Sequence, residues 1–136
     1  MKVLVDTSVW SLALRRNEPS DIVTRLSDLI FDNLVVMIGP IRQELLSGIS
    51  DKNTFNNLKS KLQAFHDIPV TARDYETAAE FYNICRRHGV QGSHTDFLIC
   101  AVASNNKLLI YTTDQDFQLY VRYLPILLFD ADALQR

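Results

Sequence analysis

The chain has 136 residues, 47% of them hydrophobic, with only four glycines and four prolines, which describes one compact domain over residues 1–136 with no room for a second. A net charge of −2 excludes a protein that holds nucleic acid mainly through a basic surface, though not a nuclease whose charge is neutralised by bound metal ions. No apolar run approaches the roughly 20 residues that cross a bilayer, so no membrane association is expected.

Residues 1–5 are a short strand-like run, with Val3 to Val5 a buried strand, that meets Asp6 at once, unlike a secretory leader, and the expected location is the cytoplasm. Thr7 and Ser8 offer caps for a helix through Val9, Leu12 and Ala13 that fades at Arg15, Arg16 and Asn17. Pro19 and Ser20 open a second helix, with Ile22, Val23, Leu26, Leu29 and Ile30 facing inward. The apolar run Leu34-Val35-Val36-Met37-Ile38 is the strand expected of a parallel sheet covered on both faces. Gly39-Pro40 turns the chain into a helix carrying Ile41, Glu44 and Leu45, which Gly48 ends. A helix over residues 51–63 turns Phe55, Leu58 and Leu62 inward, and a short strand is predicted near Ile68. Thr71 caps a longer helix through Tyr75, Ala78, Ala79, Tyr82 and Cys85, and Ser93 or Thr95 caps another through Leu98, Ile99, Val102 and Ala103. A strand over residues 107–111, a helical turn over 114–120 and a last strand over 125–129 complete the chain.

Alternating strands and helices predict an α/β fold with a mostly parallel central sheet and helices on both faces. Right-handed crossovers then decide which edge holds the carboxyl ends of the strands, where such sheets bind ligands. Asp6 and Asp114 end strands there. Glu44 sits one turn into the helix after a strand, and Asp96 lies in the first turn of its helix. Acids scattered by chance would not keep to one edge. Clustered carboxylates suit a hard divalent cation such as Mg²⁺ or Mn²⁺, which activates water and polarises a phosphoryl oxygen. Zinc is not expected: His66, His88 and His94 lack ligand spacing, and Cys85 and Cys100 read as small buried hydrophobes of a reducing compartment.

Each acid also has a plainer reading. Asp96 follows Ser93 by three and could serve only its helix N-terminus, as Asp74 does after Thr71. Asp114 could be a turn residue and Glu44 a solvated helix residue. Asp6 resists such a reading, because a charge directly ending a buried strand is costly unless satisfied. Together the four favour a site over four coincidences.

Four segments also resemble a known family. Leu4-Val5-Asp6-Thr7-Ser8-Val9-Trp10 resembles the opening motif of the PIN-domain nucleases, and Glu44-Leu45-Leu46-Ser47-Gly48 their second. Asp96-Phe97-Leu98-Ile99-Cys100-Ala101 is similar to the third, and Thr112-Thr113-Asp114-Gln115-Asp116-Phe117 to the fourth. The resemblance spans nearly the whole chain, and the length suits the single-domain VapC toxins of bacterial and archaeal toxin–antitoxin pairs. It implies an Mg²⁺- or Mn²⁺-dependent endoribonuclease that hydrolyses RNA with metal-activated water and leaves 3′-hydroxyl and 5′-phosphate ends. It also implies a homodimer, inhibited by a small antitoxin whose tail enters the active-site groove. By motif, Asp6, Asp96 and Asp114 would face the metal, and Glu44 would orient a water or accept its proton. Asp116 is a secondary candidate, while Thr7 and Thr112 would hold neighbouring carboxylates by hydrogen bonds. Cys100 stands where the family usually has alanine.

Arg15, Arg16, Arg42 and His94 fall near the same edge and are candidates for RNA phosphate, with solvated surface as the favoured reading. Trp10, Phe97 and Phe117 are expected to pack rather than stack on bases, and Tyr75, Tyr82, Tyr120 and Tyr123 to serve the core or a dimer face. Two rivals remain. A PIN-like module could bind RNA or protein without turnover, which the intact acidic quartet disfavours. A phosphoacceptor receiver needs paired acids at the first strand and a lysine ending a late strand; here Asp6 is single and the late strand ends in Thr112-Thr113.

Overall fold

The computed structural model describes residues 1–16 and 20–129, excepting the side chains of Arg15 and Arg16. The predicted fading of the first helix toward Asn17, the opening of the second at Pro19, and the phosphate roles of Arg15 and Arg16 lie outside what is described. Val3–Val5 form β1, with each side chain at 1% exposure or less. Successive strand side chains point to opposite faces, so both faces of the sheet are covered. Val35–Val36 (β2) and Leu109–Tyr111 (β3) flank β1, and Leu127–Leu128 (β4) lies beyond β3. The order is β2-β1-β3-β4 and every pairing is parallel, with Leu4 opposite both Val36 and Ile110.

The helices are α1 (Thr7–Ser11), α2 (Asp21–Phe31), α3 (Gly39–Leu46), α4 (Lys52–Leu62), α5 (Ala72–Arg87), α6 (His94–Asn106) and α7 (Asp116–Tyr120). A π-helical turn over Leu12–Arg16 prolongs α1. Three N-termini are fastened as their sequences propose. Ser20 accepts from the Val23 amide, Thr71 from that of Asp74, and Ser93 from that of Asp96, which settles the choice between Ser93 and Thr95. The α6 helix packs between α5 and the sheet, and seven consecutive residues from Phe97 to Ala103 are buried. Burial on every side removes the need for an amphipathic pattern.

Several expectations are corrected. The strand near Ile68 is a single parallel bridge, Met37 to Asp67, with the Ile68 amide donating to the Met37 carbonyl at 2.8 Å. The partner segment turns into α3 at Gly39, so no second rung follows. Lys107 does not start β3; it closes α6 in the left-handed region, with φ 55°. The N-cap position of α1 belongs to Asp6 rather than Thr7 or Ser8, and no side chain caps that helix. Ile30 is exposed rather than inward; on α5, Phe81 is buried with Ala78 and Cys85, while Tyr75 and Ala79 are exposed.

Candidate active site

The edge where β1 and β3 end is built from hydroxyl and carboxylate groups that take up one another's hydrogen bonds. The Asp6 amide donates to the Tyr111 carbonyl at 2.8 Å, which prolongs the β1–β3 pairing by one residue and fixes where the Asp6 side chain leaves the sheet. Asp6 is buried, and its Oδ2 accepts from Ser8 Oγ and from Thr112 Oγ1, each at 2.8 Å. Both hydroxyl protons are thereby committed to Asp6. The hydroxyl oxygens then serve as acceptors, Ser8 from the Thr113 amide and Thr112 from the Asp114 amide, both at 3.0 Å. A buried carboxylate needs such partners, and one oxygen takes both of these.

Glu44 projects from α3, is exposed, and accepts from Thr7 Oγ1 at 2.8 Å on Oε2. Thr7 and Thr112 therefore hold Glu44 and Asp6 respectively. Asp114 accepts from the Asp116 amide at 2.9 Å on Oδ1, closing a local turn that starts α7. Asp96, in the first turn of α6, is half-buried and accepts from the Tyr120 hydroxyl at 2.8 Å on Oδ2.

Asp96, Asp114 and Asp116 each offer a carboxylate oxygen, and the three oxygens lie within 4.8 Å of one another. Burial pushes the Asp96 carboxyl above its usual range, and the like charges of Asp114 and Asp6 push it the same way, against the bonds from Tyr120 and Ser93. The tightest trio thus contains the secondary candidate Asp116. Asp6 stands beside it, within electrostatic reach of Asp96, and Glu44 joins the edge through Thr7. Burial, then the bond to Asp96, raises the Tyr120 phenol so that it stays a neutral donor.

Other candidates are employed elsewhere. Arg42 grips Asp67 with two nitrogens, the closest contact at 2.7 Å, and donates to the carbonyls of Leu62 and Phe65. It clasps the segment after α4, which neither the phosphate nor the solvated-surface reading foresaw. His94 stacks on Tyr82 with centroids 5.3 Å apart, and His88 on Tyr123 at 4.2 Å. Trp10, Phe97 and Phe117 are buried in the core. Both cysteines are buried, and burial raises their thiols, Cys100 far above the ordinary value.

Sequence reasoning missed two members of the site. The sequence offers Ser8 as a helix cap, and its spacing two residues after Asp6 is the signal for its second role. Nothing in the sequence sets Tyr120 apart from the other tyrosines, because its partner lies 24 residues away and only the fold joins them.

The model of the PIN domain family matches residues 3–122. Ribonuclease VapC11 of Mycobacterium tuberculosis is 32% identical over 124 residues, an alignment covering 88% of this chain and 92% of that protein. VapC ribonuclease Mb1587 of Mycobacterium bovis matches with the same identity and coverage. Among solved structures, VapBC2 from Rickettsia felis, bound to a DNA fragment from its promoter, aligns with a TM-score of 0.78 at 18% identity, covering 96% of this chain and 98% of that one. FitAcB from Neisseria gonorrhoeae aligns with a TM-score of 0.76 at 22% identity, covering 94% and 96%.

Proposed function

This chain belongs to the PIN-domain family, and we propose on that basis that it is an endoribonuclease, the toxin of a VapBC-type toxin–antitoxin pair. The observation that carries the reading is the convergence of Asp96, Asp114 and Asp116 at the carboxyl edge of a parallel sheet, with Asp6 held beside them. An all-oxygen donor set favours a hard cation, and we assign Mg²⁺ or Mn²⁺. When bound, such an ion offsets the charge of the phosphodiester, polarises a phosphoryl oxygen and makes water a stronger acid.

Asp96, Asp114 and Asp116 would hold the ion, with Asp6 adding negative charge at its side. Two hydroxyls engage one oxygen of Asp6, so its orientation is set before substrate arrives. Glu44 is exposed and tethered by Thr7 through Oε2, which leaves Oε1 to orient the attacking water or receive its proton. Water attacks phosphorus in line, the bond to the 3′-oxygen breaks, and that oxygen takes a proton. The products carry 5′-phosphate and 3′-hydroxyl ends.

The same reading makes residues 1–136 one PIN domain that works in the cytoplasm as a homodimer, restrained by a small antitoxin reaching into the active-site groove. Among the described residues no helix is long and apolar enough to cross a membrane. The test is cleavage of RNA by the purified chain with Mg²⁺ or Mn²⁺ and with chelator, beside Asp96→Asn. Cleavage is expected only with the ion, and it should fall at least about 100-fold in the variant, a loss of the several kcal/mol that metal-assisted charge stabilisation supplies. Undiminished cleavage in chelator would overturn the assignment. Co-expression of a small DNA-binding protein from the neighbouring gene should relieve growth arrest.

A further inference from the structure

We propose that Tyr120 is a positioning residue that orients the Asp96 carboxylate, and that position 92 is glycine so that the Tyr120 hydroxyl can reach it. The inference rests on the reading of Asp96 as a metal-holding residue.

Tyr120 has 0% exposure, and its ring lies 5.1 Å, centroid to centroid, from both Phe97 and Phe117. A ring packed that way has no freedom to follow a moving partner; it presents its hydroxyl at one place. There it donates to Asp96 Oδ2 at 2.8 Å. An aspartate in the first turn of a helix otherwise turns about χ1 and χ2, and tying one oxygen sets the plane of the carboxyl group. Outer hydrogen bonds of this kind orient ligands and tune their affinity for a metal.

The hydroxyl reaches Asp96 past Gly92. A Cβ at that position would collide with the Tyr120 hydroxyl and stand 2.9 Å from both Tyr120 Cζ and Phe97 Cζ. Gly92 does not have the positive φ of Gly48 or Gly89, so the demand there is for space and not for backbone freedom. Tyr120 also lies on α7, the short helix that begins with Asp116, whose amide binds Asp114. One element therefore carries Asp116, stays tied to Asp114 and braces Asp96.

A merely structural tyrosine would use Asp96 to satisfy its own buried hydroxyl, and losing that bond would lower stability without touching metal affinity. The experiment measures Mn²⁺ binding without RNA, by electron paramagnetic resonance of the free ion. It compares the wild type with Tyr120→Phe, Gly92→Ala and Asp96→Asn, alongside thermal melts in chelator. Tyr120→Phe removes one oxygen and should weaken Mn²⁺ binding about tenfold, in the range seen when such supporting partners are lost. Gly92→Ala keeps the hydroxyl but displaces it, and should weaken binding in the same direction. A folded Tyr120→Phe protein that binds Mn²⁺ within about twofold of the wild type overturns the inference, whatever its melting temperature. If that variant does not fold, unchanged binding by Gly92→Ala overturns it instead. Mn²⁺ binding unaffected by Asp96→Asn would be a different result: it would remove Asp96 from the metal site and so the proposed function.

Discussion

Two helices of this protein begin with nearly the same words. Thr71-Ala72-Arg73-Asp74 opens α5 and Ser93-His94-Thr95-Asp96 opens α6, and in each the hydroxyl accepts from the amide three residues on. Only the first is completed as a capping box. Asp74 turns back to accept from the Thr71 amide at 2.9 Å, and its other oxygen accepts from Asn105 at 2.8 Å. Asp96 leaves its own helix start and meets Tyr120 and the acids after β3. The electrostatics follow the partners. Burial acts to raise both carboxyls. At Asp74 the bonds from Asn105 and Thr71 outweigh it and the group ends low, whereas at Asp96 neighbouring carboxylates reinforce it and the group ends high. An acid surrounded by donors is part of the scaffold. An acid held among other acids is stabilised by a cation.

The largest expected effect tests that division directly. Asp96→Asn should lower RNA cleavage at least about 100-fold, while Asp74→Ala, assayed well below its melting temperature, should stay close to wild type. Comparable losses from the two would dissolve the distinction. The acids around Asp96 should then rank among themselves. Asp114 is half-buried and bonds the start of α7, whereas Asp116 is exposed. Asp114→Asn should therefore damage cleavage more than Asp116→Asn at saturating Mg²⁺ and at saturating Mn²⁺. The reverse order would make Asp116 the principal ligand of the fourth motif.

Stability should move the opposite way from activity. Asp74→Ala removes the partner of the Thr71 amide and of one Asn105 donor in a part-buried setting, and should destabilise the protein by about 0.5–1.5 kcal/mol. Asp96→Asn removes one of several crowded like charges, so in chelator it should leave the melting temperature unchanged or raise it, despite losing a charge–dipole contribution of about 0.3–1 kcal/mol. Added Mg²⁺ should stabilise the wild type by about 2.7 kcal/mol at 100 times its dissociation constant, and Asp96→Asn much less. A variant that melts lower in chelator, keeps the full Mg²⁺ shift and still cuts RNA would make Asp96 a second Asp74.

The parts legible in the sequence are those written locally. Asp6-Thr7-Ser8 and Thr112-Thr113-Asp114 each follow a buried strand, so their place at the carboxyl edge could be read from apolar runs and topology rules alone. Ser93 and Asp96 were equally visible, but their spacing matches that of Thr71 and Asp74, and no local pattern says which aspartate will turn away. That is decided by Tyr120 and Asn105, which are distant in sequence from the acids they bind. The strand near Ile68 stops at one bridge for another reason: its partner segment turns into α3 at Gly39, which local β-propensity cannot show. The charge of Arg42 suggests phosphate or solvent, yet its five-donor fork goes to carbonyls and a carboxylate that only the turn after α4 brings within reach.

The smallest effect is the dependence of stability on pH, where the two aspartates should carry opposite signs. The Asp74 carboxyl is lower in the folded chain than in the unfolded one, whose value is about 3.9. Its contribution is complete above that unfolded value and is lost as pH falls through the folded one, because the unfolded chain binds the proton more readily until both are protonated. The Asp96 carboxyl is higher in the folded chain. Its ionised form therefore costs stability; that cost is complete above the folded value and disappears as pH falls to the unfolded one. Melts in chelator between neutral pH and about pH 3 should separate the two. Asp74→Ala should flatten the loss of stability at the acid end, below about pH 4, while Asp96→Asn should remove a relative gain that begins at higher pH. If Asp96→Asn also flattened the acid end, Asp96 would be ionised through ordinary capping bonds, and the two helix starts would be alike in charge as well as in sequence.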